Sequence, residues 1–301
     1  MKNLAHGIIF GNYFYGLCAL ALSIECSLQQ KAGLNDISFY VLLFLCTVVY
    51  YTKAYADSEN ELHQNNPRSF WYAKHQQTIK LTQFFYLVCI ILLIAYLFLL
   101  YKITILAFSI SEIAFTAVFP LVGLFYYGIE RQQHGKFQFR QIGWLKPFCI
   151  GFCWAGVVTI YPMLYASISK AQHFHPSFFG SLLFIKNFMF ISVLSIMFDI
   201  KDYASDYNNE LKTFVVKFGL RKTIFYILIP LTTLGFASFI TYAFSQNFSP
   251  GKIGLHLIPF LLILTVSFSL QKRQSIFFYL IIIDGLMLIK GICGSLAMLL
   301  F

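Results

Sequence analysis

With 301 residues, 58% of them hydrophobic and only 11% charged, and a mean hydropathy of +0.70, the chain is too apolar for a water-soluble globular protein. Soluble domains carry charge on about a quarter of their residues. The net charge of +10 would suit nucleic acid, but Lys and Arg are dispersed between apolar runs and form no concentrated patch. Nucleic acid is therefore excluded as a partner, and the basic residues are read as a topology signal. The seven cysteines lie mostly inside apolar runs with no CxxC pair, which predicts reduced thiols at lipid depth.

Nine runs are long enough to cross a bilayer, near 4–24, 37–56, 82–101, 105–127, 145–167, 178–200, 224–246, 252–270 and 275–300. They predict an all-α polytopic membrane protein, a single transmembrane domain over 1–301 whose helices enclose a central cavity. The first run has Lys2 but no small-x-small cleavage site, so it is read as a span and not as a removable signal. The third and fourth are separated only by Tyr101, Lys102 and Ile103, which predicts a tight hairpin.

Of the 22 Lys and Arg residues, 16 fall at the N-terminus and in the loops after the second, fourth, sixth and eighth runs, whereas 4 fall in the opposite loops. That bias predicts a cytoplasmic N-terminus and a bacterial inner membrane location. The same side carries the three long loops, Asp57 to Leu81, Gly128 to Trp144 and Lys201 to Thr223. Elaborated loops usually carry function, so the working face is expected to be cytoplasmic.

The sixth run ends in DIKDYASDYNNELKT. Asp199, Asp202 and Asp206 stand at offsets of three and seven, so a helix would point all three carboxylates one way. The second run ends in YYTKAYADSENE, where Asp57 and Glu61 are four apart on one face. Helix C-termini disfavour anions, and a bound cation would remove that cost. Hard carboxylate oxygens with phosphate as a further ligand point to Mg²⁺, and the two clusters would hold it across a cavity.

DIKDYASD followed by KTFVVKFGLRKT resembles the second aspartate-rich motif of the UbiA superfamily of intramembrane prenyltransferases. The matching positions are Asp199, Asp202, Asp206, Lys212, Thr213, Val216 and Gly219. The family is similar also in having nine helices with motifs after the second and sixth, so the resemblance covers nearly the whole chain. The first motif departs from the family pattern: Lys53 stands where an asparagine is usual, followed by Asp57, and Glu61 stands where an aspartate is usual. Glu can ligate Mg²⁺, whereas Lys would bind a phosphate directly. LFYYGIERQQ and LKPFCIGFCWAG resemble the family segment around the fourth and fifth helices, through Tyr127, Arg131, Lys146 and Trp154. That region is implied to hold the diphosphate and shape the acceptor pocket. The guanidinium of Arg131 also matches phosphate oxygens in its own right. In NNPRSFWYAKH, Arg68 is read as a diphosphate contact and Trp71 as part of an interfacial belt.

The resemblance implies transfer of an isoprenoid chain from a prenyl diphosphate to a lipophilic, aromatic acceptor, dependent on Mg²⁺, with release of diphosphate. Asp57, Asp202 and Asp206 are the expected catalytic residues. Lys53, Arg68, Tyr127, Arg131, Lys146 and Lys212 are expected to bind substrate, and Asp57, Glu61, Asp199, Asp202 and Asp206 to hold metal. Membrane lipids are the surroundings, and no protein partner is implied. Two alternatives stay open: a catalytically degenerate member that binds lipid or a partner, which Lys53 favours, and a transporter, which the placement of acids at helix ends disfavours. Four charges lie at membrane depth, Glu112, Lys186, Asp284 and Lys290, and are expected to pair across helices. Asn12 and Asn187 are read as cavity-lining, and His173 and His175 as a solvated loop.

Overall fold

The computed structural model describes residues 2–56, 67–127, 142–208 and 210–301, and every regular element among them is a helix. In chain order these are α1 (Lys2–Phe10), α2 (Tyr13–Gln29), α3 (Ile37–Ala56), α4 (Pro67–Lys74), α5 (Gln76–Leu100), α6 (Lys102–Leu106) and α7 (Ile110–Tyr127). They continue as α8 (Lys146–Ser169), α9 (Phe178–Lys201), α10 (Tyr203–Asn208), α11 (Phe214–Phe218), α12 (Leu220–Ser245), α13 (Pro250–Ser269) and α14 (Phe278–Leu300). Each of the nine apolar runs contains a long helix. Six of these, α5, α8, α9, α12, α13 and α14, are long and apolar enough to cross a bilayer, and α3 and α7 hold the shorter apolar stretches Ile37–Lys53 and Ile110–Tyr126. The chain is an integral membrane protein.

Two expectations about the spans need correcting. The first run is not one rod ending at residue 24. Asn12, in a left-handed conformation at φ 64°, separates α1 from α2, and α2 continues through Glu25 to Gln29. A lone acid would end a span because burying its charge in hydrocarbon is costly. Glu25 is tolerated because Lys186 Nζ and Lys290 Nζ donate to its two oxygens at 2.8 and 2.6 Å. Nor is the connection after α5 a tight hairpin. The short α6 intervenes, and α7 starts only at Ile110, where Glu112 accepts from the backbone N–H of Ser109 at 2.8 Å and of Phe174 at 2.7 Å. That carboxylate satisfies donors that a turn at membrane depth would otherwise leave unpaired.

The rods pack through small residues, which let helix backbones approach without a hydrophobic driving force between them. A Cβ on Gly291 would meet the Ala21 backbone at 2.6 Å, which locks α14 onto α2. Gly151 plays the same part between α8 and α9, where a Cβ would strike Ser192. Both α8 and α12 widen into a π turn, Gly156–Ile160 and Ile224–Leu228, shortly before Pro162 and Pro230. Proline lacks the N–H that an α ladder needs, and the wider turn absorbs the lost bond. Ser177 starts α9 by accepting the N–H of Gly180 at 2.9 Å, as an N-cap should. At the other end of that unit, Gly219 at φ 78° lets the chain turn from α11 into α12 with nothing near its Cβ position, so backbone conformation alone calls for glycine there.

Candidate active site

The end of α9 sets the site. Asp199, in its last turn, is fully buried, and Lys146 Nζ, from the first residue of α8, donates to its Oδ1 at 2.6 Å. The close α8–α9 packing at Gly151 puts these two helix ends within reach of each other. Asp202 caps α9 and pairs with Lys201 at 2.7 Å, both side chains being partly exposed. Asp206, on α10, is buried, and its N–H donates to the Asp202 carbonyl at 2.8 Å. Gly143 closes this corner. A Cβ there would meet the Lys212 carbonyl carbon and the Thr213 nitrogen at 2.6 Å, so the segment entering α8 lies directly on the segment entering α11. Sequence reasoning passed over Gly143, because a single glycine beside a tryptophan carries no motif.

A cavity of about 210 Å³ opens beside these helix ends. Its charged lining is Arg68, Lys146, Lys201, Asp202 and Asp284, and Tyr15, Tyr51, Tyr126 and Trp154 supply aromatic walls. A second cavity, of about 460 Å³, lies between α3, α7 and α8 and is almost wholly apolar, with Leu43, Cys46, Phe119, Pro120, Cys153 and Val157 among its walls. Tyr51, Tyr126, Ile150 and Trp154 line both. The two cavities therefore adjoin across these four side chains, one with a charged lining and one apolar. Tyr51 is held at the junction by stacking on Tyr15 at 4.4 Å and by accepting the indole N–H of Trp154 at 2.5 Å.

Among the sequence candidates, Asp202, Lys146 and Arg68 line the polar chamber, and Asp199 and Asp206 lie beside it in the same turn and connection. Arg68 is buried and donates to the Phe10 carbonyl at 3.5 Å and to Asn12 Oδ1. Lys53, in the last turn of α3, and Lys212 are exposed, and neither lines the chamber. Tyr127 is the last residue of α7, and Tyr126 lines both cavities. Asp57, Glu61 and Arg131 lie outside the described residues. Asn12 and Asn187 do not line the cavity as expected. Asn12 donates to Thr52 Oγ1 at 3.0 Å and to Tyr72 at 2.9 Å, and Asn187 donates to Thr159 Oγ1 at 2.8 Å. Buried amides are retained where helices can satisfy them, so both serve as interhelical glue. Trp71 packs on Phe10 and His75. His173 and His175 are exposed, and His173 meets Glu112 at 3.1 Å.

Lys201, Tyr15, Tyr51, Tyr126 and Asp284 are site residues that sequence reasoning missed or set aside. Lys201 lies inside the aspartate motif and Asp284 stood out as a charge at membrane depth, whereas the three tyrosines carried no local signal.

The donor set suits a hard divalent ion. Asp199, Asp202 and Asp206 offer carboxylate oxygens, and Asp199 Oδ2 is buried without a hydrogen-bond partner. Among the described residues no three acid, His or Cys side chains already gather into a metal-sized group, and Lys146 and Lys201 hold two of the acids.

No protein-family model and no curated relative matches the sequence. Among solved structures the chain is similar to a digeranylgeranylglyceryl phosphate synthase in membranes, with a TM-score of 0.60 over 100% of both chains at 14% sequence identity. Identity that low speaks for the path of the backbone and leaves side-chain roles to be argued from this molecule. The backbone of this chain shares the all-α, polytopic fold of that membrane synthase.

Proposed function

We propose that the chain is an intramembrane prenyltransferase that moves an isoprenoid chain from a prenyl diphosphate to a lipophilic, aromatic acceptor, acting as one transmembrane domain with the α9 end facing the cytoplasm. The observation that carries this reading is the pair of adjoining cavities, one with charged residues at the aspartate motif and one apolar, which share Tyr51 and Trp154 as lining. A prenyl diphosphate has the same division, an anionic head on a hydrocarbon tail.

Transfer needs the allylic C–O bond to break with its electron pair leaving on diphosphate, and the acceptor to supply the pair for the new bond. Lys146, Lys201 and Arg68 bring positive charge to the head chamber, where low dielectric makes it count for more than in water. Asp199 sets the Lys146 ammonium in place by its 2.6 Å bond. Tyr15, Tyr51, Tyr126 and Trp154 offer ring faces to the developing allylic cation, and the apolar walls keep water from it. Asp199, Asp202 and Asp206, with Asp57 and Glu61 that follow α3 in the sequence, would hold Mg²⁺. Bound there, the ion would neutralise the leaving diphosphate.

A second reading has support in the two lysine–aspartate pairs and in Lys53: a chain that binds lipid without turning it over. One experiment separates the two. Purified protein in nanodiscs is given geranylgeranyl diphosphate with and without Mg²⁺, and diphosphate release is followed. Metal-dependent release supports the enzyme. Tight binding with no release under either condition leaves the silent binder, and no binding removes both.

A further inference from the structure

The acid that the aspartate motif does not account for is Asp284. It begins the α-helical part of α14 directly after the π segment Phe278–Ile283, is 3% exposed, and lines the polar chamber. Tyr15 of α2 donates to its Oδ2 at 2.7 Å, and Arg68 and Lys201 are the cations close enough to act on it. Cys18 Sγ meets its backbone oxygen at 3.7 Å, so the residue is tied to α2 at both its main chain and its side chain. A carboxylate at this depth usually exists to close a helix pair. The chain has such a case in Glu25, which is sealed between two ammonium groups and lines neither cavity. Asp284 differs on both counts. Its named hydrogen bond comes from a neutral phenol, and the chamber is where it is placed. A π segment immediately before such a residue is also a common feature of functional positions in helices.

We propose that Asp284, oriented by Tyr15, takes the proton that the acceptor gives up when the isoprenoid chain is transferred to it. This rests on the prenyl-transfer reading of the same chamber. The balance is simple. The allylic C–O bond breaks and its pair leaves on diphosphate. The acceptor's O–H or ring C–H supplies the pair for the new C–O or C–C bond, and its proton moves to the Asp284 carboxylate. Neither an oxidant nor a further reactant is needed. Tyr15 is then a positioning residue, holding Oδ2 so that Oδ1 is the oxygen presented to the acceptor.

The test uses membrane vesicles carrying the full chain, given radiolabelled geranylgeranyl diphosphate, with the vesicle's own lipids as the acceptor pool. Three quantities are read: donor bound, diphosphate released, and label in prenylated lipid as against free geranylgeraniol. Asp284→Asn should bind donor as the wild type does while prenylated lipid falls by about a hundredfold or more, the usual size of a lost general base. Released diphosphate should then exceed lipid formed, the excess appearing as geranylgeraniol. Asp284→Glu should recover part of the transfer, and Tyr15→Phe should shift the lipid-to-alcohol ratio in the same direction as Asp284→Asn but less. Prenylated lipid from Asp284→Asn within about threefold of wild type would overturn the proposal. So would loss of donor binding in Asp284→Asn, Asp284→Glu and Tyr15→Phe alike, which would make the pair a structural clamp. A wild type that neither binds nor cleaves the donor would instead remove the prenyl-transfer reading itself, and this role with it.

Discussion

Charge is buried twice along α9, and the two places are built on opposite plans. Lys186 precedes Asp199 by 13 residues on that helix, about 20 Å along its axis. At the Lys186 level, Glu25 accepts from two lysines, Gln29 donates to Glu25 at 2.9 Å and meets His256 at 2.6 Å, and the lysines lie over Phe239 and Phe190. Each of these ionic side chains is at most 3% exposed, and neither cavity reaches them. At the Asp199 level the same ingredients, acids and lysines, open onto a chamber, and Asp199 keeps an oxygen unused. Ionic groups sealed on all sides hold α2, α9, α13 and α14 in register. Ionic groups along a void are available to a substrate. Burial and charge alone do not tell the two apart. Access does.

The sharpest way to break this contrast is Glu25→Gln. It leaves two ammonium groups in a dry interior, and loss of one partner of a buried pair costs about 3–5 kcal/mol. Thermal unfolding and yield of folded protein should fall sharply, while diphosphate release per folded molecule stays at the wild-type level. Replacing the whole triad (Glu25→Leu, Lys186→Met, Lys290→Met) should regain much of that stability, because apolar side chains of similar volume often serve as well as a buried ion pair. If Glu25→Gln folds normally and loses turnover, the upper cluster is part of the active site after all.

The converse change lies at the other level. Asp202→Asn and Asp206→Asn should each lower diphosphate release by about a hundredfold or more, as expected when one strong electrostatic contact to a leaving group is lost. Melting temperature should barely move for Asp202→Asn, whose partner Lys201 is partly exposed and whose pairing is accordingly weak. A large melting shift with intact turnover would place the aspartate motif with the sealed cluster.

A smaller effect sharpens the apolar half. Cys153 lines the large cavity between Phe119 and Trp154, and its thiol meets the Phe119 carbonyl at 3.5 Å. Cys153→Phe would fill part of that space, and size discrimination in an apolar pocket is worth about 1–3 kcal/mol. The ratio of kcat/KM for geranylgeranyl over geranyl diphosphate should drop about tenfold. An unchanged ratio would mean that the tail lies elsewhere. Lys53→Asn is expected to do least. Lys53 is exposed and lines neither cavity, so its charge is screened by solvent. The Mg²⁺ concentration for half-maximal release should shift by no more than about threefold, and a tenfold shift would bring Lys53 into the metal site.

Sequence alone determined the elements that depend on local chemistry. Spans are readable because a bilayer core demands long apolar stretches, and all nine runs contain helices. Asp199, Asp202 and Asp206 were visible through their spacing in a short motif, and Gly219 as a matching position of the segment that follows, although the helix ends at Lys201 and Asp206 falls on the next one. Where a span stopped was less visible. Glu25 looked like an end because its two lysine partners lie 161 and 265 residues away in sequence. The same distance hid the chamber. Tyr15 and Tyr51 are ordinary residues of two spans, Trp154 stood out only through a family segment, and Asp284 stood out only as a charge at membrane depth; nothing along the chain showed that the four share a chamber. Only the packing of α2, α3, α8 and α14 turned their side chains onto one void. A cavity is a property of surfaces that meet across the fold, and it has no period in the sequence.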